Sequence, residues 1–311
     1  MSNRLILGTR GSELALTQTR MTKAFLADSL PGQVVEHEVI KTIGDKRPDL
    51  KLSEFSQGDS PVLDKGIFTK ELELALEAGQ IHAAVHSLKD VPTELGEGFE
   101  ISVVLPRAPV EDVLVSQSEG GLEGLADAAV VATSSVRRKA QLEALRGDLV
   151  VEDIRGNVPT RLAKLRESEV WGATILARAG LERLGYSLEG GVLEGHGERF
   201  YAEILDPAVF VPAAGQGAVG IETYRAEGWV LEVLGSINHA ETMTRVRAER
   251  HFLHLLEAGC QTPVGAFTKI EGGVLSMDVI VFDERGCRRA SAAGDAGEPE
   301  SVAAAIFEEV K

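Results

Sequence analysis

The sequence predicts an α/β protein of two open-sheet domains followed by a small α+β domain, and three observations predict it. Two strand-to-helix turns stand in tandem between Thr133 and Arg161. A proline-bounded stretch, Pro106-Arg107-Ala108-Pro109, reads as an exit from one domain, and Asp206 to Val211 followed by Pro212-Ala213-Ala214-Gly215-Gln216-Gly217-Ala218-Val219-Gly220 reads as the return. After Tyr224 the pattern changes to a long helix, two alternating strands and a last helix. The expected domains are therefore residues 1–105 with 206–224, residues 106–205, and residues 225–311. A chain of 311 residues is long enough for two or three such units, each with its own core.

Taken in order, Arg4 to Leu7 reads as a strand that turns at Gly8-Thr9-Arg10-Gly11-Ser12 into a helix whose Leu14, Met21 and Phe25 share a face. Ser12 is the expected N-cap, which makes Arg10, Gly11 and Ser12 a candidate anion site at a helix start. Pro31-Gly32 ends the helix and Val34 to Ile40 resumes strand alternation. Asp45 to Lys65 contains Pro48, Gly58 and Pro61 and has no period, so it is expected to be a mobile lid, the usual meaning of so long an irregular stretch. Lys65-Gly66-Ile67-Phe68 leads into a helix from Thr69 to Ala78, stopped by Gly79.

Ile81 to His86 is an apolar strand running into Ser87-Leu88-Lys89-Asp90-Val91-Pro92. Ser87 and Asp90 have the spacing of a capping box, and Lys89 reads equally as plain surface. The same residues stand at the carboxyl end of a strand, where α/β sheets place their ligands, so Lys89 and Asp90 are also candidates for chemistry. Ile101 to Leu105 closes the first part of domain 1.

In the second domain Val130 to Ala132 reads as a buried strand, Ser134 and Ser135 as N-cap residues, and Val136 to Arg146 as a helix closed by Gly147. Leu149 to Ile154 is a second strand, followed by Arg155-Gly156 and a helix capped by Asn157, with Val158, Leu162 and Leu165 on one face. Thr133 to Arg161 carries six basic residues against four acidic ones, in a chain whose net charge is −16. Arginines that oppose the surrounding charge, at helix starts, suit bidentate binding of carboxylates or phosphates; ordinary ion pairs on a solvated face are the plainer alternative. A strand from Ala173 to Ala177, a helix near Leu181 to Leu184 and a glycine-rich stretch from Gly190 to Gly197 complete the domain. Beyond Tyr224 a helix from Glu241 to Ala258 is stopped by Gly259, which leaves Cys260 in a loop. Strands from Gly265 to Ile270 and Leu275 to Phe282 and a helix from Pro299 to Val310 follow.

Composition narrows the function. Hydrophobic content of 44% and charged content of 26% fit an ordinary globular protein. A net charge of −16 without a basic face argues against nucleic acid as a partner. There is neither a run of about 18 apolar residues nor a basic segment followed by an apolar one at the start, so a cytoplasmic protein with no membrane partner is expected. Two cysteines, Cys260 and Cys287, are too few for a metal-binding quartet, and a reducing compartment disfavours pairing them. His251 and His254 have metal-ligand spacing but no further ligands near them, so no metal is expected.

Eight stretches together resemble the porphobilinogen deaminase (hydroxymethylbilane synthase) family over nearly the whole chain. They are Thr9-Arg10-Gly11-Ser12, Lys65-Gly66-Ile67-Phe68, His86-Ser87-Leu88-Lys89-Asp90-Val91-Pro92, Thr133-Ser134-Ser135-Val136-Arg137-Arg138, Ile154-Arg155-Gly156-Asn157-Val158, Thr160-Arg161-Leu162, Gly215-Gln216-Gly217-Ala218 and Gly259-Cys260-Gln261. The resemblance implies two doubly wound domains like those of periplasmic binding proteins, plus a third domain bearing the cysteine. It implies a monomeric transferase of tetrapyrrole (haem or chlorophyll) biosynthesis that joins four porphobilinogens head to tail into hydroxymethylbilane with release of ammonia. The cofactor would be dipyrromethane, bound by thioether to Cys260.

Carried over residue by residue, the resemblance makes Asp90 and Lys89 catalytic, Asp90 by stabilising the azafulvene cation and shuttling protons. It gives Lys89, Asp90, Thr133, Ser134, Ser135, Arg137, Arg138, Arg155, Gly156 and Cys260 to the cofactor. Arg10, Ser12, Phe68, Asn157, Thr160, Arg161, Arg183 and Gln216 go to the substrate. Every pyrrole brings an acetate and a propionate, which is chemistry that arginine forks and hydroxyls suit. Two positions depart from the family pattern or sit in its variable parts: Arg178 is unusual, and Pro159 falls in a first helical turn that tolerates it. The competing class is a two-lobed anion-binding or sensor protein without catalysis, which accounts for the arginines but not for Cys260 in a loop or for the third domain.

Overall fold

The computed structural model describes residues 4–42, 69–258 and 262–311. The expected lid, Phe68 and Cys260 lie outside the described residues. In chain order the elements of the first lobe are β1 (Leu5–Thr9), α1 (Glu13–Ser29), β2 (Val35–Val39), α2 (Lys70–Glu77), β3 (Ala83–Ser87), a 3-10 turn (Leu88–Asp90) and β4 (Phe99–Val104). The second lobe holds β5 (Asp112–Ser116), β6 (Val130–Ala132), α3 (Val136–Leu145), β7 (Val150–Glu152), α4 (Val158–Glu167), β8 (Trp171–Ala177) and α5 (Arg178–Arg183), then β9 (Ser187–Glu189), β10 (Val192–Gly195) and β11 (Glu198–Ile204). The chain then returns to the first sheet as β12 (Val219–Tyr224), continues into α6 (Gly228–Gly235) and α7 (Ala240–Leu255), and ends with β13 (Val264–Glu271), β14 (Val274–Asp283), β15 (Gly286–Asp295) and α8 (Pro299–Val310).

The first sheet has the order β2-β1-β3-β12-β4, with β1 parallel to β2 and β3, and β12 antiparallel to β3 and β4. Both faces are covered. Leu5, Leu7, Val85, Val103 and Ile221 pack with Leu26 of α1 on one side, while Ala84 on the other meets Leu72 and Leu76 of α2. The expected third domain beginning at 225 does not match the packing here. Val230 and Leu234 of α6, with Ile237, are buried in the first lobe's core, because α6 packs its apolar face against β4.

The second sheet runs β7-β6-β8-β5-β11-β10-β9. Leu162 and Leu165 of α4 and Leu181 of α5 pack on Val113, Val115 and Leu176, and Leu142 of α3 packs on Leu114, Val131 and Ile175 on the opposite face. The stretch expected to be merely glycine-rich is two hairpins. Gly190 and Gly191, at φ 57° and 78°, form the two-residue turn between β9 and β10, the left-handed pair that matches strand twist. The third sheet is a meander, β13-β14-β15. Phe252 of α7 and Val302 and Ile306 of α8 fill its inner face against Leu275, Met277 and Val279.

The two connections between lobes lie side by side, with Ala108 N donating to Gly217 O at 3.1 Å. Gly217 sits at φ 81°, and a Cβ there would stand 2.4 Å from Ala108 O, so the closeness of the two strands of chain requires glycine. A charged hub fixes the junction. Glu249 of α7 is fully buried and accepts from Arg107 Nη1 and Nη2 at 2.7 and 2.8 Å, from Gly215 N at 2.7 Å and from Thr268 Oγ1 at 2.6 Å. Arg107 Nε donates to Gln216 O at 3.0 Å. Exit, return and third domain are thus joined through one carboxylate with four charge-assisted or neutral donors.

Candidate active site

Each expected strand-to-helix turn exists, and its residue types explain why. Ser12 caps α1, its hydroxyl accepting from Ala15 N at 3.3 Å. Ser135 caps α3 by accepting from Arg138 N at 3.4 Å, and Asn157 caps α4 by accepting from Thr160 N at 2.9 Å. Ser134 does something else: its hydroxyl donates to Ile154 O at 2.8 Å and accepts from Ile154 N at 3.1 Å, welding the end of β6 to the chain leaving β7. Thr133 is buried, and its hydroxyl accepts from Ser135 N at 3.3 Å. Gly156 lies in the turn before α4, its carbonyl accepting from Arg161 Nε at 2.8 Å, and the Thr160 hydroxyl donates to Asn157 Oδ1 at 2.7 Å.

The capping-box alternative for Asp90 is not realised. Leu88–Asp90 is a three-residue 3-10 turn without a side-chain cap, and the Ser87 hydroxyl instead accepts from Gln18 Nε2 of α1 at 2.7 Å. Asp90 is exposed and lines a small polar cavity together with Arg10, Ser12 and Ser87. Freed from capping, its carboxylate is available to a ligand.

Arg137 and Arg138 differ from the expectation of outward-facing forks. Both are buried, at 5% and 6% exposure, and both close on Asp112 at the start of β5: Arg137 Nη2 on Oδ2 and Arg138 Nη2 on Oδ1, each at 2.7 Å. Their Nη1 groups donate to Val211 O at 2.6 Å and Ile175 O at 2.7 Å. Burial alone would raise the Asp112 carboxyl, but Arg137, Arg138 and Lys89 outweigh it and hold it far below the ordinary range. Gln216 is likewise turned inward. It is fully buried, and its amide donates to Val110 O at 2.7 Å and Asp112 Oδ1 at 3.0 Å while its oxygen accepts from Lys89 Nζ at 3.1 Å. A substrate-binding role for its side chain is therefore replaced by that of a bridge between Lys89 and Asp112.

Lys89 reaches solvent, yet its amino group is packed against protein in the crevice. Burial, then the charge of Arg138, lowers its pKa to about 8, with Asp90 and Asp112 opposing. Burial lowers the Arg161 guanidinium to about 10, with Arg138 and Arg155 adding to the fall and Asp90 opposing it. Asp90 and Arg138 thus bear on both Lys89 and Arg161. Arg183 donates from Nη2 to Gly217 O at 2.7 Å, and burial lowers it to about 10.

Two guanidinium atoms bear on the expected ligand. Arg138 Nε and Arg183 Nε are enclosed by protein and have no hydrogen-bond partner among the described residues. Buried donors of this kind are costly unless an acceptor arrives, and a carboxylate supplies one. Arg155 and Arg161 are half-buried, and arginines so placed suit a ligand bearing several carboxylates.

Reading residue types along the sequence missed three buried anions, of which Asp112 organises Arg137 and Arg138, Glu222 pairs with His86 and Glu249 with Arg107. Asp112 opens the apolar strand Asp112–Ser116, Glu222 stands inside the apolar strand Val219–Tyr224, and Glu249 sits on the buried face of α7. A carboxylate in a buried strand signals a buried cationic partner, and that was the available clue. Arg178, noted as unusual, pairs with Glu182 at 2.7 Å and Glu111 at 3.2 Å on the surface of α5. His254 pairs with Glu94 at 3.4 Å.

Comparison with known proteins agrees. Residues 5–232 match the family model described as porphobilinogen deaminase, dipyromethane cofactor binding domain, and residues 243–311 match the porphobilinogen deaminase C-terminal domain. A porphobilinogen deaminase of Syntrophomonas wolfei is 42% identical over 96% of this chain and 91% of its own length. One from Moorella thermoacetica is 43% identical over 95% and 89%, and one from Gloeobacter violaceus 40% identical over 100% and 91%. Two lobes built around inward-held arginines, a third domain on a carboxylate hub, and family matches over almost every residue lead to one statement: the chain belongs to the porphobilinogen deaminase family.

Proposed function

We propose that this protein joins four porphobilinogen molecules head to tail into hydroxymethylbilane, releasing ammonia, in the cleft between the lobes. The observation that supports this most is the uncapped carboxylate of Asp90, which lines a cavity with Arg10 and Ser12 and whose charge bears on Lys89 and Arg161. Dipyrromethane, attached by thioether at Cys260, supplies the growing end and two rings of carboxylates when bound. Arg138 and Arg155 would hold its carboxylates, and Arg161 those of the substrate; Ser134 and Ser135 fix the turns that carry Arg138 and Arg155. Arg10, with Ser12 at the start of α1, receives an acetate or propionate of the incoming substrate.

Asp90 lies where positive charge develops as ammonia leaves the aminomethyl carbon, and a fixed carboxylate lowers the energy of that cation. The same carboxylate takes the proton that the attacked ring carbon gives up. Lys89, tied through Gln216 to Asp112, provides a cation at a set distance from Asp90 and steers the substrate's carboxylates away from it.

The experiment is to supply porphobilinogen to the purified protein and measure ammonia and linear tetrapyrrole together. Four ammonia released per tetrapyrrole is the expected stoichiometry. Tight binding of porphobilinogen with no ammonia released would favour the non-catalytic anion-binding protein instead.

A further inference from the structure

Strand β3, which ends at the Asp90 turn, carries a buried titratable pair that the reaction above does not use. In the antiparallel register His86 faces Gly220 and Ala84 faces Glu222, so His86 and Glu222 lie diagonally on one face of the sheet. His86 Nε2 stands 3.0 Å from Glu222 Oε2, with 6% and 0% exposure. Glu222 Oε1 is buried without a hydrogen-bond partner among the described residues. An ion pair so placed is a poor device for stability alone, since two apolar side chains of similar volume serve at least as well.

The imidazole is not sealed in. It lines, with Asp90, Ser87, Ser12 and Gln18, a polar cavity of about 70 Å3. That volume admits water, and its walls provide the partners water needs. The Glu222 carboxylate fixes the tautomer with hydrogen on Nε2, which leaves Nδ1 as the proton acceptor. The other charges that bear on the pair are Glu73 of α2, Arg250 of α7, and Arg10 and Asp90 at the cavity. Burial raises the Glu73 carboxyl and Glu222 adds to the rise, while burial lowers the Arg250 guanidinium and Glu222 opposes that.

We propose that His86, backed by Glu222, is the inner member of a proton path whose outer member is Asp90. This rests on the reading of Asp90 as the group that receives the ring proton. In each condensation the C–N bond of the aminomethylammonium breaks, and its electron pair leaves with nitrogen as ammonia. The free α-carbon of the acceptor ring forms the new C–C bond and then loses its hydrogen as a proton. That proton passes from Asp90 through cavity water to Nδ1 of His86, which returns it through the same cavity to the departing ammonia, so one C–C bond and one ammonium ion are the net result. His86 touches neither substrate nor cofactor; it resets Asp90 between condensations.

The test uses holoenzyme, with intact mass confirming that His86→Ala, His86→Gln and Glu222→Gln still carry dipyrromethane. The expected result is a kcat lowered about 10- to 100-fold in the two His86 variants, with KM for porphobilinogen changed less than about twofold. Added imidazoles should restore His86→Ala, the rate rising with the basicity of the imidazole. Restoration independent of basicity means that the ring only fills space, and it overturns the inference. Should His86→Ala not fold, His86→Gln decides: wild-type kcat with a wild-type pH profile sinks the proposal, and a lower kcat with the imidazole limb removed supports it. Asp90→Asn measured alongside separates the two readings. An inactive Asp90→Asn beside fully active His86 variants defeats only the relay, whereas an active Asp90→Asn defeats the role of Asp90 itself.

Discussion

Two pairs of arginines in the second lobe, Arg137 with Arg138 and Arg155 with Arg161, stand at equivalent places, the helix starts after β6 and β7, and do different work. The first pair is buried and closes on Asp112, Val211 O and Ile175 O. The second pair is half-buried, with Arg161 Nε held by Gly156 O. What separates them is one acidic residue at the start of β5, two strands from β6 in the sheet. A carboxylate at Asp112 draws the first pair inward and turns it into scaffold, whereas the second pair stays half-buried at the mouth of the crevice. Position in the fold brings arginines to the crevice; the placement of Asp112 decides that the first pair turns inward.

The largest effect is expected where that comparison is broken outright. Asp112→Ala leaves two buried guanidiniums facing each other without an anion, and loss of one partner from a buried pair costs about 3–5 kcal/mol. Chemical denaturation should show a loss of that order; a change below about 1 kcal/mol would mean that the pair is hydrated and not scaffold. Second comes Asp90→Asn, expected to lower kcat by ~10²-fold or more. Because no cap depends on Asp90, its melting temperature should stay at the wild-type value, and Asp90→Glu should keep partial activity. Third, Arg161→Lys keeps charge but loses the fork, and should raise KM about tenfold with stability unchanged, whereas Arg137→Lys should lower stability. A matched pair of outcomes for the two lysine variants would erase the distinction between the arginines.

The smallest effect is one of pH. The Lys89 pKa falls from 10.5 in the unfolded chain to about 8 in the fold, burial and then Arg138 being the causes. A depressed lysine penalises the folded state below pH 8, and the penalty fades as pH rises from about 8 toward 10.5. Substrate capture by the ammonium runs the other way, so KM should rise above pH 8. Lys89→Arg should flatten that limb, which steady-state assays across pH 7 to 9.5 would reveal.

Much of this was legible in the residues themselves. Ser12, Ser135 and Asn157 announced three helix starts because N-cap chemistry is local, and Pro106 to Pro109 with Gly215-Gln216-Gly217 announced the exchange between lobes because tight crossings need proline and glycine. The hairpins of β9 to β11 were passed over, although Glu189-Gly190-Gly191-Val192 has the signature of a two-residue turn. Asp112, Glu222 and Glu249 were invisible as organisers, since their partners are 25 to 142 positions away along the chain and only the tertiary fold brings them together. The same long-range contacts turned Gln216 from an expected substrate ligand into a buried bridge.

The measurement closest to the central claim is the intact mass of the purified protein beside its two cysteine variants. Wild type and Cys287→Ser should each exceed the mass of the bare chain by two porphobilinogens less two ammonias, Cys287 being an exposed residue near the start of β15, opposite Phe282 of β14. Cys260→Ser should show the bare mass and no turnover. A wild-type protein at bare mass that nonetheless forms tetrapyrrole, or an excess that disappears with Cys287→Ser and survives Cys260→Ser, would contradict the account.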